Sequence, residues 1–134
     1  MAWLYKGKVF EGPSDSDYGF IYIITNKESG KRYIGKKLFW FKKFKTVKKK
    51  RKRILVESDW RNYWSSSATV KADVEALGED KFEREIIHLV PSKSAANYLE
   101  AKEQFTRGVL ESTMWYNDWI SVRVTRRHIQ NNGS

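Results

Sequence analysis

The sequence predicts an α+β domain: a small three-stranded antiparallel sheet flanked by helices, in the order β-β-α-α-β-α. Three β-branched or aromatic runs supply the strands, at residues 19–26, 31–35 and 81–90. Two stretches with helical periodicity and clear end signals supply the helices, at 68–77 and from Ser92 or Ser94 to Arg107. A chain of 134 residues is the size of one domain and can bury a core without disulfides, and this one has no cysteine.

Residues 1–18 form a leading segment in which Gly12-Pro13-Ser14-Asp15-Ser16-Asp17 reads as loop. Gly19 opens the first strand, Lys27 to Gly30 supply turn chemistry, and Lys31 opens the second strand, so the two pair as a β-hairpin. Residues 36–57 read as a basic insertion loop, and Ser58 to Trp64 as a short helix. Ser66 or Ser67 caps the next helix, whose Val70, Val74 and Leu77 share one face at i, i+4 and i+7, and Gly78 ends it. The third strand stops at Pro91, and Gly108 stands just past the last helix. One domain therefore spans 19–125, its stretch 116–124 packing at a place the sequence does not specify, with a frayed tail at 126–134.

Charge is unevenly placed. Lys and Arg total 26 against 16 Asp and Glu, a formal net of +10. Eleven of the basic residues fall between 36 and 53 with no acid among them: Lys36, Lys37, Lys42, Lys43, Lys45, Lys48, Lys49, Lys50, Arg51, Lys52 and Arg53. A field focused in this way concentrates polyanions, and the aromatics inside the run point to a docked nucleic-acid contact rather than a solvated tail. The first residues lack an apolar signal region, and the run Leu38-Phe39-Trp40-Phe41 is far too short to span a bilayer, so a cytoplasmic protein without membrane contact is expected. That run is read as an apolar anchor for the basic loop, and most of the six tryptophans as packing residues. His88 reads as structural, and with His128 in the tail it gives no zinc spacing.

The hairpin carries Gly19-Phe20-Ile21-Tyr22, ten residues, then Tyr33-Ile34-Gly35. Further on come Tyr98-Leu99-Glu100 and Glu103 on the last helix, and the pair Tyr116-Asn117. In this order and spacing, from about 19 to 117, the chain resembles the GIY-YIG endonucleases, with Phe20-Ile21-Tyr22 as the first triplet. It is most similar to the small phage-encoded, homing-type (Seg-like) members.

The resemblance implies a metal-dependent DNA endonuclease using Mg²⁺ (or Mn²⁺). Phosphodiester hydrolysis needs an activated water, charge stabilisation at phosphoryl oxygens and help for the departing oxygen. Tyr22 would act as base or water-positioner with Tyr33 in support; a phenol with a pKa of about 10 is a poor base unless a cation lowers that value. Glu100 would hold the metal, with Glu103 as the alternative, since a hard cation takes one or two carboxylates and keeps its waters. Gly35 would let a backbone approach the substrate closely. The family's arginine is missing from its usual place, where Lys43 stands eight residues past Gly35. Arg61 is expected to take its role, with Lys37 as second choice, although lysine cannot hold a phosphate bidentately. DNA would be gripped by the basic run, with modest sequence preference and as monomer or dimer. The alternative is a non-catalytic nucleic-acid-binding module that keeps the fold.

Overall fold

The computed structural model describes residues 2–121, and only the backbone at 45, 47, 52 and 53. Strands run β1 Trp3–Tyr5, β2 Lys8–Val9, β3 Gly19–Asn26, β4 Arg32–Leu38, β5 Trp40–Val47, β6 Lys50–Glu57 and β7 Phe82–Val90, with helices α1 Ala68–Leu77 and α2 Lys93–Thr106. The main sheet has the order β2-β1-β7-β3-β4. Its centre, β7-β3-β4, is the antiparallel trio expected from the sequence.

Two expectations need correction. The sheet has five strands and is mixed, because β1 joins β7 in parallel, Trp3 opposite Arg84, and β2 pairs with β1. Strands of three and two residues are too short to show alternation. What recruits them is Trp3, whose buried indole N–H donates to Trp60 O at 2.7 Å. Secondly, most of the basic loop expected at 36–57 is a second sheet, the β5–β6 hairpin. Lysines at successive positions hid its period of two. The short helix expected at 58–64 is a single 3-10 turn, Trp60–Asn62.

Both helices begin where their serines cap them. Ser67 Oγ accepts from Val70 N–H and Ser92 Oγ from Ala95 N–H. Alternation along β3 then divides the core. Phe20, Tyr22 and Ile24 pack on one face with Trp3, Phe39, Trp60 and α1's Val70 and Val74. Ile21 and Ile23 pack on the other with Ile34 and α2's Ala95 and Ala96. Each fully buried large side chain contributes about 1.5–3 kcal/mol. Arg84 fastens the 3-10 segment to the sheet: its guanidinium lies between the Trp3 and Trp64 rings, at 4.6 and 4.4 Å, and donates to Arg61 O and Tyr63 O. Burial lowers its pKa to about 10, so it stays charged at neutral pH.

Beyond α2 the chain returns to the outer edge of β4, where Trp115 bridges Arg32 in parallel. The rest of the expected 116–124 stretch past residue 121, the tail at 126–134 and His128 lie outside the described residues. Among the described residues no helix is long and apolar enough to cross a membrane.

Candidate active site

Register on the hairpin sets the site. Tyr22 lies opposite Gly35, Ile24 opposite Tyr33 and Phe20 opposite Lys37, so Tyr22, Tyr33 and Lys37 share one face. The Tyr22 ring is fully buried, with centroids 6.2 Å from Tyr33 and 5.9 Å from Tyr63. Its hydroxyl has no well-formed hydrogen bond among the described residues, although Tyr63 stands close enough to oppose its ionisation. Burial first, then Tyr63, Tyr33 and Glu100, push its pKa well above the ordinary phenol value. Gly35 has a reason other than substrate approach. A Cβ there would collide with the Tyr22 hydroxyl and lie 2.6 Å from its Cζ, so the missing side chain is the space the phenol occupies.

Tyr33 opens onto a cleft of about 80 Å³ lined by Ser66, Glu100, Gln104, Asn117 and Asp118. Its hydroxyl is 3.4 Å from Ser66 Oγ, and burial raises its pKa despite that contact. α2 brings Glu100 to this cleft, with Lys36 Nζ 3.3 Å from its carboxylate. Burial raises the Glu100 pKa in spite of Lys36. Glu103 is elsewhere: it accepts from Arg107 at 2.9 Å and meets His88 Nε2 at 2.8 Å, as the structural reading of His88 expected. Burial opposes its ionisation, but His88 and Arg107 together hold its pKa down.

The outer edge of β4 would expose unpaired backbone, and Asn117 closes it. Its side chain accepts from Ile34 N–H at 3.0 Å and donates to Ile34 O at 2.9 Å, while Gln104 donates to the same oxygen. Asn117→Ala leaves a buried N–H unpaired next to the cleft and is expected to cost about 2 kcal/mol, read as a lower urea midpoint with an unchanged slope.

The two basic candidates are placed differently. Arg61 lies over the Trp60 ring at 4.3 Å with Nε 3.4 Å from Glu57, and it does not line the cleft. Lys37 lies over the Tyr63 ring at 4.2 Å, its Nζ bound to Asp59 at 2.6 Å, beside the tyrosine cluster. The Asp59 carboxyl is held below its usual range by that contact. Lys42, Lys43, Lys48, Lys49, Lys50 and Arg51 are exposed on the β5–β6 hairpin, in whose strands Lys45, Lys52 and Arg53 also fall. Phe39 and the Trp40 indole, which donates to Asp17 O, anchor the hairpin base as expected of the apolar run.

Sequence reasoning passed over Tyr63, Ser66, Gln104 and Asp118. Asp118, next to Tyr116-Asn117, was open to discovery by adjacency; the other three join the site only through tertiary packing.

Among the described residues no three His, Asp or Glu side chains cluster as metal ligands. A half-buried carboxylate, Glu100, with Asp118 on the same cleft, still suits one hard cation that keeps most of its waters.

Tyrosines sharing one face of a β-hairpin, a helix that brings a carboxylate to the same cleft and an asparagine closing the hairpin's outer edge are the parts of a GIY-YIG nuclease domain. A family model described as "Putative endonuclease segE, GIY-YIG domain" matches residues 3–120, and the chain belongs to that family, of the Seg-like type. The matched span takes in β1 and the basic hairpin as well as the signature strands. No curated protein and no solved structure matches the chain.

Proposed function

We propose that the chain is a metal-dependent endonuclease that hydrolyses DNA phosphodiester bonds, of the phage-encoded homing type, acting in the cytoplasm of a bacterial host. The observation that carries the catalytic part is the meeting of Tyr33 and Glu100 in one cleft with the Tyr22 phenol packed behind. Glu100 would hold Mg²⁺ or Mn²⁺, with Asp118 within the same lining. When bound, the cation supplies charge stabilisation at the phosphoryl oxygens and a more acidic water.

Burial raises both phenol pKa values, so without a cation each keeps its proton at neutral pH, and the cation held at Glu100 would act against that shift at Tyr33. Tyr33 then orients the attacking water and offers a proton at its hydroxyl, while Tyr22 holds the ring geometry beneath it. For the phosphate, Lys37 is better placed than Arg61, because it stands on the tyrosine face of the hairpin. The exposed lysines of the β5–β6 hairpin supply phosphate contacts, which makes binding steeply dependent on salt.

Incubation with supercoiled plasmid tests this. Mg²⁺ should convert the plasmid to open-circle or linear DNA, and EDTA should prevent it. Lys37→Ala should slow cutting more than Arg61→Ala does. One observation favours the non-catalytic alternative: among the described residues no arginine lines the cleft. Tight DNA binding with no cutting over a range of metals and salt would establish that alternative.

A further inference from the structure

The chain leaves the main sheet after Leu38 and returns almost to the same point. Ser58 N–H donates to Phe39 O at 2.8 Å, and its hydroxyl donates to Leu38 O at 2.6 Å. Between these clamps, among the described residues, β5 and β6 pair only with each other. A two-stranded hairpin on its own is marginal in water at best. This one also leaves large apolar side chains in solvent, with Phe44 59%, Leu55 56% and Phe41 42% exposed. A hairpin built to close a core would bury them. Residues 40–57 hold nine basic residues and one acid, Glu57, which selects a polyanion as the missing partner rather than another protein face.

Shape narrows the partner to duplex DNA. Two strands of eight residues extend roughly 27 Å at about 3.4 Å per residue, and a two-stranded ribbon fits the major groove, about 12 Å wide. Lys48 and Lys49 make the turn with φ of 50° and 64°, a conformation in which Asn-Gly is the relaxed choice. The turn therefore keeps two charges at the tip against its own steric preference. On one face, Lys42 lies opposite Leu55, and Thr46 opposite Arg51. The Arg51 guanidinium lies diagonally over the Phe44 ring at 4.1 Å. Stacking fixes the guanidinium plane, and arginine held in this way can make the paired hydrogen bonds that read guanine, while an aromatic edge contacts a thymine methyl.

We infer that the β5–β6 hairpin is a groove-reading ribbon that lays its Lys42, Phe44, Arg51 and Leu55 face into the major groove of duplex DNA, with the stacked Phe44–Arg51 pair contacting bases. The inference rests on the proposal that the chain acts on DNA and adds a source of sequence specificity where only modest preference was expected.

The test is binding selection of the full chain on a random duplex pool in EDTA, with plasmid cutting under Mg²⁺ run in parallel. The wild type should enrich a biased motif, and methylation of its guanines at N7 should weaken binding. Arg51→Lys keeps the charge and should lose roughly tenfold or more in discrimination at one position, its affinity falling far more on the motif than on random duplex. Replacing residues 42–55 by Asn-Gly joins the paired neighbours Phe41 and Val56 and should erase the motif and flatten the salt dependence. Enrichment of the same motif by the shortened chain, an unbiased wild type, indifference to N7 methylation, or a preference for single strands would each overturn the inference. A motif enriched by a wild type that cuts nothing would sink the nuclease and leave the groove reader standing.

Discussion

Glu100→Gln is expected to reduce metal-dependent cutting on the order of 10²-fold or more, since loss of even an outer partner of a metal site costs 10–100-fold, while leaving the fold at least as stable as the parent. The second half follows from the sign of the pKa shift. Burial raises the Glu100 pKa and Lys36 only partly offsets it. A group whose folded pKa is raised contributes stability below its unfolded value, about 4.3 for glutamate, and loses it as pH rises through the folded value. At neutral pH the ionised carboxylate is therefore a net burden on the fold, and glutamine, which can still accept from Lys36, removes it. Thermal unfolding should show the variant gaining on the parent between pH 4 and 7.5.

Glu103→Gln should do the reverse. The Glu103 pKa is lowered despite burial, by His88 and Arg107, so its stabilisation is present above the unfolded pKa and fades as pH falls through the folded one. Its partners are more than a third exposed, and the loss at neutral pH should not exceed about 1 kcal/mol. Cutting should survive. A Glu103 variant that is inactive beside an active Glu100 variant would move the metal site to the other side of α2.

How much of this was legible depended on length and on partners. β3, β7, α1 and α2 are long, periodic and bounded by Ser67, Gly78, Pro91 and Ser92, and the residues alone were enough to locate them. β1 and β2 carry too few residues for a pattern, and only the burial of Trp3 explains them. In the β5–β6 hairpin, charge on successive residues erases the alternation that identifies a strand, so its sequence reads as a loop. The tyrosine pair could be read because its spacing matches the two signature triplets of the family the sequence resembles. The choice between Glu100 and Glu103 could not, because residues three apart on a helix are neighbours until a sheet edge separates them. Arg61 was favoured for its chemistry, yet the stacking on Trp60 that directs it away from the cleft is a tertiary fact.

Gly35→Ala should disable the site from beneath, without replacing any ionisable side chain. The added methyl carbon would overlap the Tyr22 hydroxyl, lie 2.6 Å from Tyr22 Cζ and lie 3.0 Å from Tyr33 Cε1. The Tyr22 ring cannot yield easily, being fully buried against Trp3 and Phe20, and the Gly35 backbone is paired within the sheet. Overpacking of this kind costs about 1–3 kcal/mol, and displacement of a positioned group by about 1 Å can cost 10²-fold in rate. Both a lower midpoint of unfolding and slower plasmid cutting are expected. Tyr22→Phe separates the two effects. It removes a buried hydroxyl without a well-formed hydrogen bond, so by itself it should be neutral or slightly stabilising. Combined with Gly35→Ala it should recover part of the lost stability, a positive coupling between neighbours. If Gly35→Ala leaves both stability and cutting unchanged, the glycine is not what makes room for the phenol, and the packing assigned to the tyrosine cluster is wrong.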